Sequence, residues 1–336
     1  MSEPQDPPGG SGAGKWSAAF AAEVEPVLLG GPAEYTLDDV CARVGISRSR
    51  GGRLWMALGF TVDPDPKAAM FTAADVDAFQ VMADLVEKGI VDDPTQLAIA
   101  RTLGHSMARV AEWQVDVLNA HLAQQADPKD GEAVARQTIS SLQELQNYAW
   151  RRHLAAAADR STHDLETDSE NRTLAVGFAD IVGYTRLTRH LDTAELAALI
   201  ETFESGTTET ITGNGGWVIK NVGDEVMFAA ERPADIAAIA FGLADQRMDP
   251  EHGDVAVPPL RIGLSYGPVL QRFGDLYGPV VNIAARLTGV ARPGTILVDS
   301  GLASKLTEVP GARLVSLRPV RVRGISRLRA HVLRRD

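Results

Sequence analysis

Two short segments place an aspartate close to a glycine at the edge of an apolar run. They are Phe178-Ala179-Asp180-Ile181-Val182-Gly183 and Lys220-Asn221-Val222-Gly223-Asp224-Glu225. Such runs read as β-strands, so Asp180 and Asp224 sit at strand ends where two carboxylates can converge. Paired carboxylates suit hard cations such as Mg²⁺, which take oxygen ligands and keep positions open for phosphate. A third segment, Asp275 to Arg286, supplies another aspartate and then Asn282 and Arg286, four residues apart. That spacing puts both on one face of a helix. A guanidinium there offers phosphate oxygens a fork of donors that an ammonium does not have. Metal ligands, polar base contacts and a phosphate-facing Arg are the equipment of an enzyme acting on a nucleoside triphosphate.

Taken singly, each residue has a plainer reading. Asp224 is a favoured residue of tight turns. Asp180 can close a strand, and Lys220 can be a solvated strand residue. Asp275 follows Gly274 in what reads as a loop, and Asn282 and Arg286 can be ordinary helix-surface residues. Their joint occurrence is what carries weight. In order and local context the three segments resemble the class III nucleotidyl cyclases, in the bacterial arrangement with a helical N-terminal regulatory domain. The resemblance covers residues 173–333.

It implies roles for six side chains. Asp180 and Asp224 are the metal-binding pair, assisted by the backbone carbonyl of Ile181. Lys220 and Asp275 are the pair that reads adenine, and Asn282 and Arg286 orient ribose and stabilise the transition state. Two divalent ions, Mg²⁺ or Mn²⁺, and ATP are the implied cofactors and substrate. In this family one catalytic domain does not complete a site, so a homodimer with shared sites is implied. The implied activity is conversion of ATP to cyclic AMP and pyrophosphate.

The elements that must position these residues are legible from pattern. Leu174 to Phe178 alternates as a strand, and Thr193 to Ile211 has helical periodicity. Trp217–Val222 and Val226–Ala230 are short runs joined by Gly223-Asp224, a hairpin turn. Pro233–Gln246 reads as helix, Leu260–Tyr266 as strand, Gly278–Val290 as helix and Thr295–Val298 as strand, before an Arg-rich tail. Mixed helices and hairpin-linked strands make this half α+β. The resemblance implies a ferredoxin-like core, an antiparallel sheet with flanking helices, over residues 173–336.

The first half reads as an all-α domain, residues 15–158, behind a Gly/Pro/Ser-rich tail, residues 1–14. A polar linker is expected over residues 159–172. Thr36-Leu37-Asp38-Asp39 is an N-terminal capping signal, and Thr72 caps a later helix. The Thr36–Leu58 helix pair, broken at Gly45, resembles a helix-turn-helix, with Arg48, Arg50 and Arg53 near its second helix. This leaves an alternative function, a DNA-binding regulator with a nucleotide-binding cyclase-like domain. The formal net charge of −11 opposes it. Gly9 to Lys15 mimics a P-loop, but Trp16 stands where the Mg²⁺-binding hydroxyl belongs and no strand precedes it. His105, His121 and His153 are candidate pH inputs, beside an unidentified small molecule.

At 336 residues the chain is long enough for two domains. A 45% hydrophobic content suits a globular protein, and no apolar run reaches the length of a membrane helix. The acidic start does not read as a signal peptide. The single cysteine, Cys41, has no internal partner, which points to the cytoplasm.

Overall fold

The structure is a computed structural model that describes residues 25–122 apart from 27, and residues 128–162, 171–245, 256–322 and 325–336. The Gly9–Lys15 segment and the N-terminal tail lie outside the described residues, as do residues 163–170 of the expected linker. The chain divides into two compact units, Met1–Ala158 and Asp159–Asp336.

The first unit is helical: α1 (Leu37–Val44), α2 (Arg48–Ala57), α3 (Ala73–Glu87), α4 (Asp93–Leu122) and α5 (Pro128–Thr162). Thr36 and Thr72 each form a reciprocal capping box, with Asp39 and Asp75 respectively. Each box satisfies two backbone N–H groups that a helix start leaves unpaired. Leu37, Val40, Cys41, Leu54, Phe71 and Phe79 make its core. The arginines of α2 are spent within the chain. Arg48 pairs with Asp38 at 2.5 Å, and Arg50 pairs with Asp93 at 2.7 Å and donates to Gln96 at 3.1 Å. Arg53 donates to Ser49. Arg48 and Arg50 thus have acidic partners within the chain. His105 and His153 are exposed on helix surfaces. The side chain of His121 lies outside the described residues.

The second unit is built on β1 (Asn171–Ile181), β2 (Trp217–Val222), β3 (Glu225–Ala230), β4 (Leu260–Arg272), β5 (Asp275–Tyr277), β6 (Ile296–Asp299), β7 (Ala312–Ser316) and β10 (Ala330–Arg335). Strand order is β2-β3-β1-β4-β6-β10-β7, with β5 on β4. The short pair β8 (Val320–Val322) and β9 (Ile325–Leu328) stands apart. Its helices are α6 (Tyr184–Leu187), α7 (Thr193–Gly213), α8 (Pro233–Asp245), α9 (Pro279–Val290) and α10 (Ser300–Leu306).

The fold class is α+β, but the sheet is mixed rather than antiparallel, because β4 and β6 run parallel. The cause is connectivity: α9 crosses over between them, and a parallel pair needs such a crossover. The polar stretch expected as linker is bounded differently as well. Helix α5 continues through Thr162, and β1 already begins at Asn171.

Alternation along β1 sorts the two faces of the sheet. Ala175, Ala179 and Ile181 pack with Phe203 of α7, Ile236 of α8 and Leu302 of α10. Leu174, Val176 and Phe178 pack on the opposite face with Val280 and Ala284 of α9. Helix α9 lies close on this second face. A Cβ at Gly263 would stand 2.3 Å from the backbone N of Thr288 and 2.4 Å from the carbonyl O of Ala284. Thr288 Oγ1 donates to the Ala284 carbonyl and, at 3.3 Å, reaches that of Phe178.

Gly263→Ala must therefore lift α9 off the sheet. The expected loss is about 1–3 kcal/mol, as for other overpacked sites. Urea unfolding of the two proteins measures it, and an unchanged midpoint would show that the helix tolerates the extra carbon.

Candidate active site

Asp180 is the last charged residue of β1 and follows Phe178 by two, so it projects on the face that carries α9. Glu225 opens β3 directly across from it, and Arg261 lies across from it on β4. Asp224 sits in the β2–β3 turn, where Gly223 supplies the left-handed conformation at φ 62°. The backbone N–H of Ile181 donates to the carbonyl of Asp224 at 3.0 Å. That bond ties the turn to the end of β1 and sets the two aspartates side by side.

Three carboxylates thus share a small space with one arginine. Arg261 pairs with Asp180 through both Nε and a terminal guanidinium nitrogen. Burial pushes the Asp180 carboxyl up, the Arg261 guanidinium pulls it down, and neighbouring Asp224 pushes it up, with a net rise. Burial also raises Glu225, reinforced by the charges of Asp180 and Asp224. The arrangement is short of positive charge.

That shortage fits a hard cation. Asp180 and Asp224 offer oxygen donors side by side, and the Ile181 carbonyl belongs to the same strand end. Among the described residues no group of three or more His, Cys, Asp or Glu side chains is arranged to hold a metal ion.

Lys220 projects on the same face of the sheet, opposite Met227. The two-residue loop Phe273-Gly274, with φ of 53° and 80°, turns the chain back so that Asp275 opens β5. Phe273 is not glycine, so the left-handed conformation there is uncommon. Lys220 Nζ stands 2.5 Å from Asp275 Oδ2, and Asp275 Oδ1 accepts the N–H of Leu276 at 2.8 Å. The sheet and its hairpin thus bring the second expected pair together within one chain.

The third pair is placed differently. Val280, Ala284, Leu287 and Thr288 form the buried stripe of α9. At about 100° per residue, Asn282 and Arg286 fall on the opposite side of the helix. Asn282 is exposed and Arg286 half-buried. Both therefore point away from the sheet surface that carries Asp180 and Glu225.

Arg261 and Glu225 are the residues that sequence reasoning missed as participants. Glu225 stood in the quoted motif without a role. Arg261 had one signal, a charge at the start of an otherwise apolar strand.

Residues 167–335 match the family described as the adenylate and guanylate cyclase catalytic domain. An adenylate cyclase of Streptomyces coelicolor is 36% identical over 293 residues, covering 85% of this chain and 75% of that protein. An adenylate cyclase of Glutamicibacter nicotianae is 32% identical over 333 residues, covering 93% and 81%. The crystal structure of the adenylyl cyclase CyaB from P. aeruginosa is 23% identical and covers 49% of this chain and 95% of that one, with a TM-score of 0.43. Among the described residues no helix is long and apolar enough to cross a membrane.

The carboxylate cluster predicts a pH signature. The folded-state pKa of Glu225 is raised, so its protonated form is favoured by folding. Stability from that form is present at low pH and lost as pH rises through the raised pKa. Glu225→Gln should therefore melt higher than the parent near pH 8 without divalent cation, by about 2–4 °C if the relief is about 1 kcal/mol. The gap should close toward pH 4. A gap independent of pH in thermal melts would show that charge repulsion is not its cause.

Proposed function

The chain belongs to the adenylate and guanylate cyclase family, and from that premise we propose that it converts ATP to 3′,5′-cyclic AMP and pyrophosphate. The observation that carries the choice of base is the Lys220–Asp275 contact. An ammonium donates and a carboxylate accepts. Adenine presents the complementary edge, an acceptor at N1 and a donor at N6, whereas guanine presents the reverse.

The reaction is an internal phosphoryl transfer in which the ribose 3′-oxygen attacks the α-phosphorus and pyrophosphate leaves. Such transfers are accelerated mainly by positioning and by stabilising charge on the phosphoryl oxygens. Asp180, Asp224 and the Ile181 carbonyl would hold two divalent cations, whose contribution is Lewis-acid stabilisation of the attacking and leaving oxygens. Were Asp180 to hold a cation instead of Arg261, the guanidinium at the same strand end would have its charge available to the triphosphate. Arg286 offers forked donors to phosphate oxygens, and Asn282 a hydrogen bond to the ribose.

Asn282 and Arg286 face away from their own sheet, which supports a site made by two copies. Each copy contributes the acids of one site and the α9 pair of the other, and a two-fold axis makes both equivalent. The helical unit holds none of these residues and would act on the rate rather than the chemistry.

Purified full-length protein incubated with ATP, or separately GTP, and Mg²⁺ or Mn²⁺ tests the activity. Cyclic AMP and pyrophosphate in equal amounts are expected, and no cyclic nucleotide under any combination would refute the reading.

Asp180→Ala and Arg286→Ala homodimers should each fall on the order of 100-fold or more in rate, as when a charge-stabilising group is removed. Mixed and allowed to exchange, they should recover roughly a quarter of parental activity. Half of the dimers are then mixed, and each mixed dimer has one intact site of two. No recovery in exchanging subunits would mean that a single chain supplies the whole site.

Base choice should follow Lys220 and Asp275. The double substitution Lys220→Glu with Asp275→Cys reverses the donor pattern. It should lower ATP turnover and raise the GTP-to-ATP ratio of kcat/KM by at least about tenfold, or about 1.4 kcal/mol. An unaltered ratio would remove the pair from base recognition.

A further inference from the structure

The Arg-rich tail has no part in the candidate active site, and the sheet divides it by face. Successive residues of β10 project to opposite sides. Arg335 is already engaged: it pairs with Asp245 of α8 at 2.8 Å and lies over the ring of Phe241, 5.2 Å from its centroid. Arg334 shares the other face with Val332, the face on which α9 packs. There the two residues line a cavity of about 440 Å³. Its remaining apolar walls are Val290, Leu297 and Leu317, and its other polar groups are Arg292 and Thr295. Small-molecule pockets run from roughly 300 to 1,000 Å³ and combine apolar walls with a few convergent polar groups.

The positive charge around this cavity is uncompensated. Arg313 of β7 stands directly across from Arg334, and like charges so placed destabilise a sheet. Among the described residues, Arg292, Arg313 and Arg334 have no ion-pair partner. This is a local excess of cation in a chain of net charge −11. The apolar surface is uncovered as well. Val290, Val315 and Leu317 are 43%, 40% and 38% exposed, and Val315 stands opposite Val332 on the same face. An apolar hollow rimmed by unpaired guanidinium groups is complementary to an apolar molecule that carries an anion.

We infer that this cavity binds a compact organic anion, an apolar body with a single oxyanion head. The forked donors of Arg292 and Arg334 match the planar or tetrahedral oxygens of such a head. Val290, Leu297, Leu317 and Val332 take the body out of water. A bare inorganic anion would leave those walls solvated. A nucleotide would find no aromatic ring to stack its base on, and only Thr295 as a neutral polar side chain to read it. None of the six side chains assigned to catalysis lines the cavity, so its occupant is not the substrate. Val290 is the last residue of α9, the helix that carries Asn282 and Arg286. The occupant therefore rests at the foot of that helix. The inference goes beyond the proposed reaction and stands independently of it.

The experiment titrates the full-length chain with 8-anilinonaphthalene-1-sulfonate, a ring body with one anionic head, and follows its fluorescence. N-phenyl-1-naphthylamine, the same rings without the head, is titrated in parallel. The proteins are the parent, the double variant Arg292→Gln/Arg334→Gln, the single variant Leu317→Asp and the control Arg335→Gln. Exposed apolar groups elsewhere are common to all four, so the cavity is the component that the variants remove. The parent should bind one equivalent of the sulfonate per chain, at least about tenfold more tightly than the uncharged analogue. The double variant should weaken the sulfonate by about the same factor and leave the analogue unchanged. Leu317→Asp should weaken both, and the control should match the parent. If the double variant loses its far-UV circular dichroism, Leu317→Asp decides, because it alters an exposed side chain beyond the end of the edge strand β7. Equal sulfonate binding by the parent and both cavity variants would overturn the inference. So would full displacement of the sulfonate by inorganic phosphate, which would show a simple anion site.

Discussion

The seating of α9 on the sheet is the constraint on which the rest of the catalytic unit depends. Gly263 has no side chain, so the helix backbone lies almost directly on β4, and Thr288 anchors it to β1. A helix pressed this closely has no rotational freedom. Its buried stripe of Val280, Ala284, Leu287 and Thr288 fixes where every other residue of the helix points. Asn282 and Arg286 are consequently aimed outward by this packing. The same packing that stabilises the unit thus denies these two residues access to the acids on the sheet beneath.

Charge is the second organising fact. The strand ends bring Asp180, Asp224 and Glu225 together, and the backbone bond from Ile181 to Asp224 holds them there. Burial and mutual repulsion raise Asp180 and Glu225, with Arg261 opposing. Such an arrangement costs stability through burial and charge repulsion. A few kcal/mol of local strain at a functional site is borne by a well-packed surround. Here the surround is the core between the sheet and α7, α8 and α10.

Much of this was legible in the sequence, and what escaped did so for physical reasons. The capping boxes at Thr36 and Thr72 were readable because side chain and partner are three residues apart. The Gly223-Asp224 turn and the i,i+4 pair of Asn282 and Arg286 are equally local. Arg261 was not readable as a partner of Asp180, because the two are 81 residues apart and meet only through strand register. The parallel β4–β6 pairing depends on which strand the chain returns to after α9, and an antiparallel sheet was expected instead. The apolar residues Ile99, Leu103 and Met107 recur at helical spacing, yet the structure leaves them largely uncovered. Periodicity reveals that a face will be buried, and says nothing of what buries it.

The central claim is that each site is made from the acids of one copy and the α9 pair of another. A structure of the full-length chain bound to a non-cyclisable ATP analogue and a divalent cation measures it most directly. The account predicts the triphosphate between Asp180 and Asp224 of one copy and the partner's Arg286, with adenine at the Lys220–Asp275 pair. A triphosphate contacted by Asp180 and Arg286 of the same chain would contradict it.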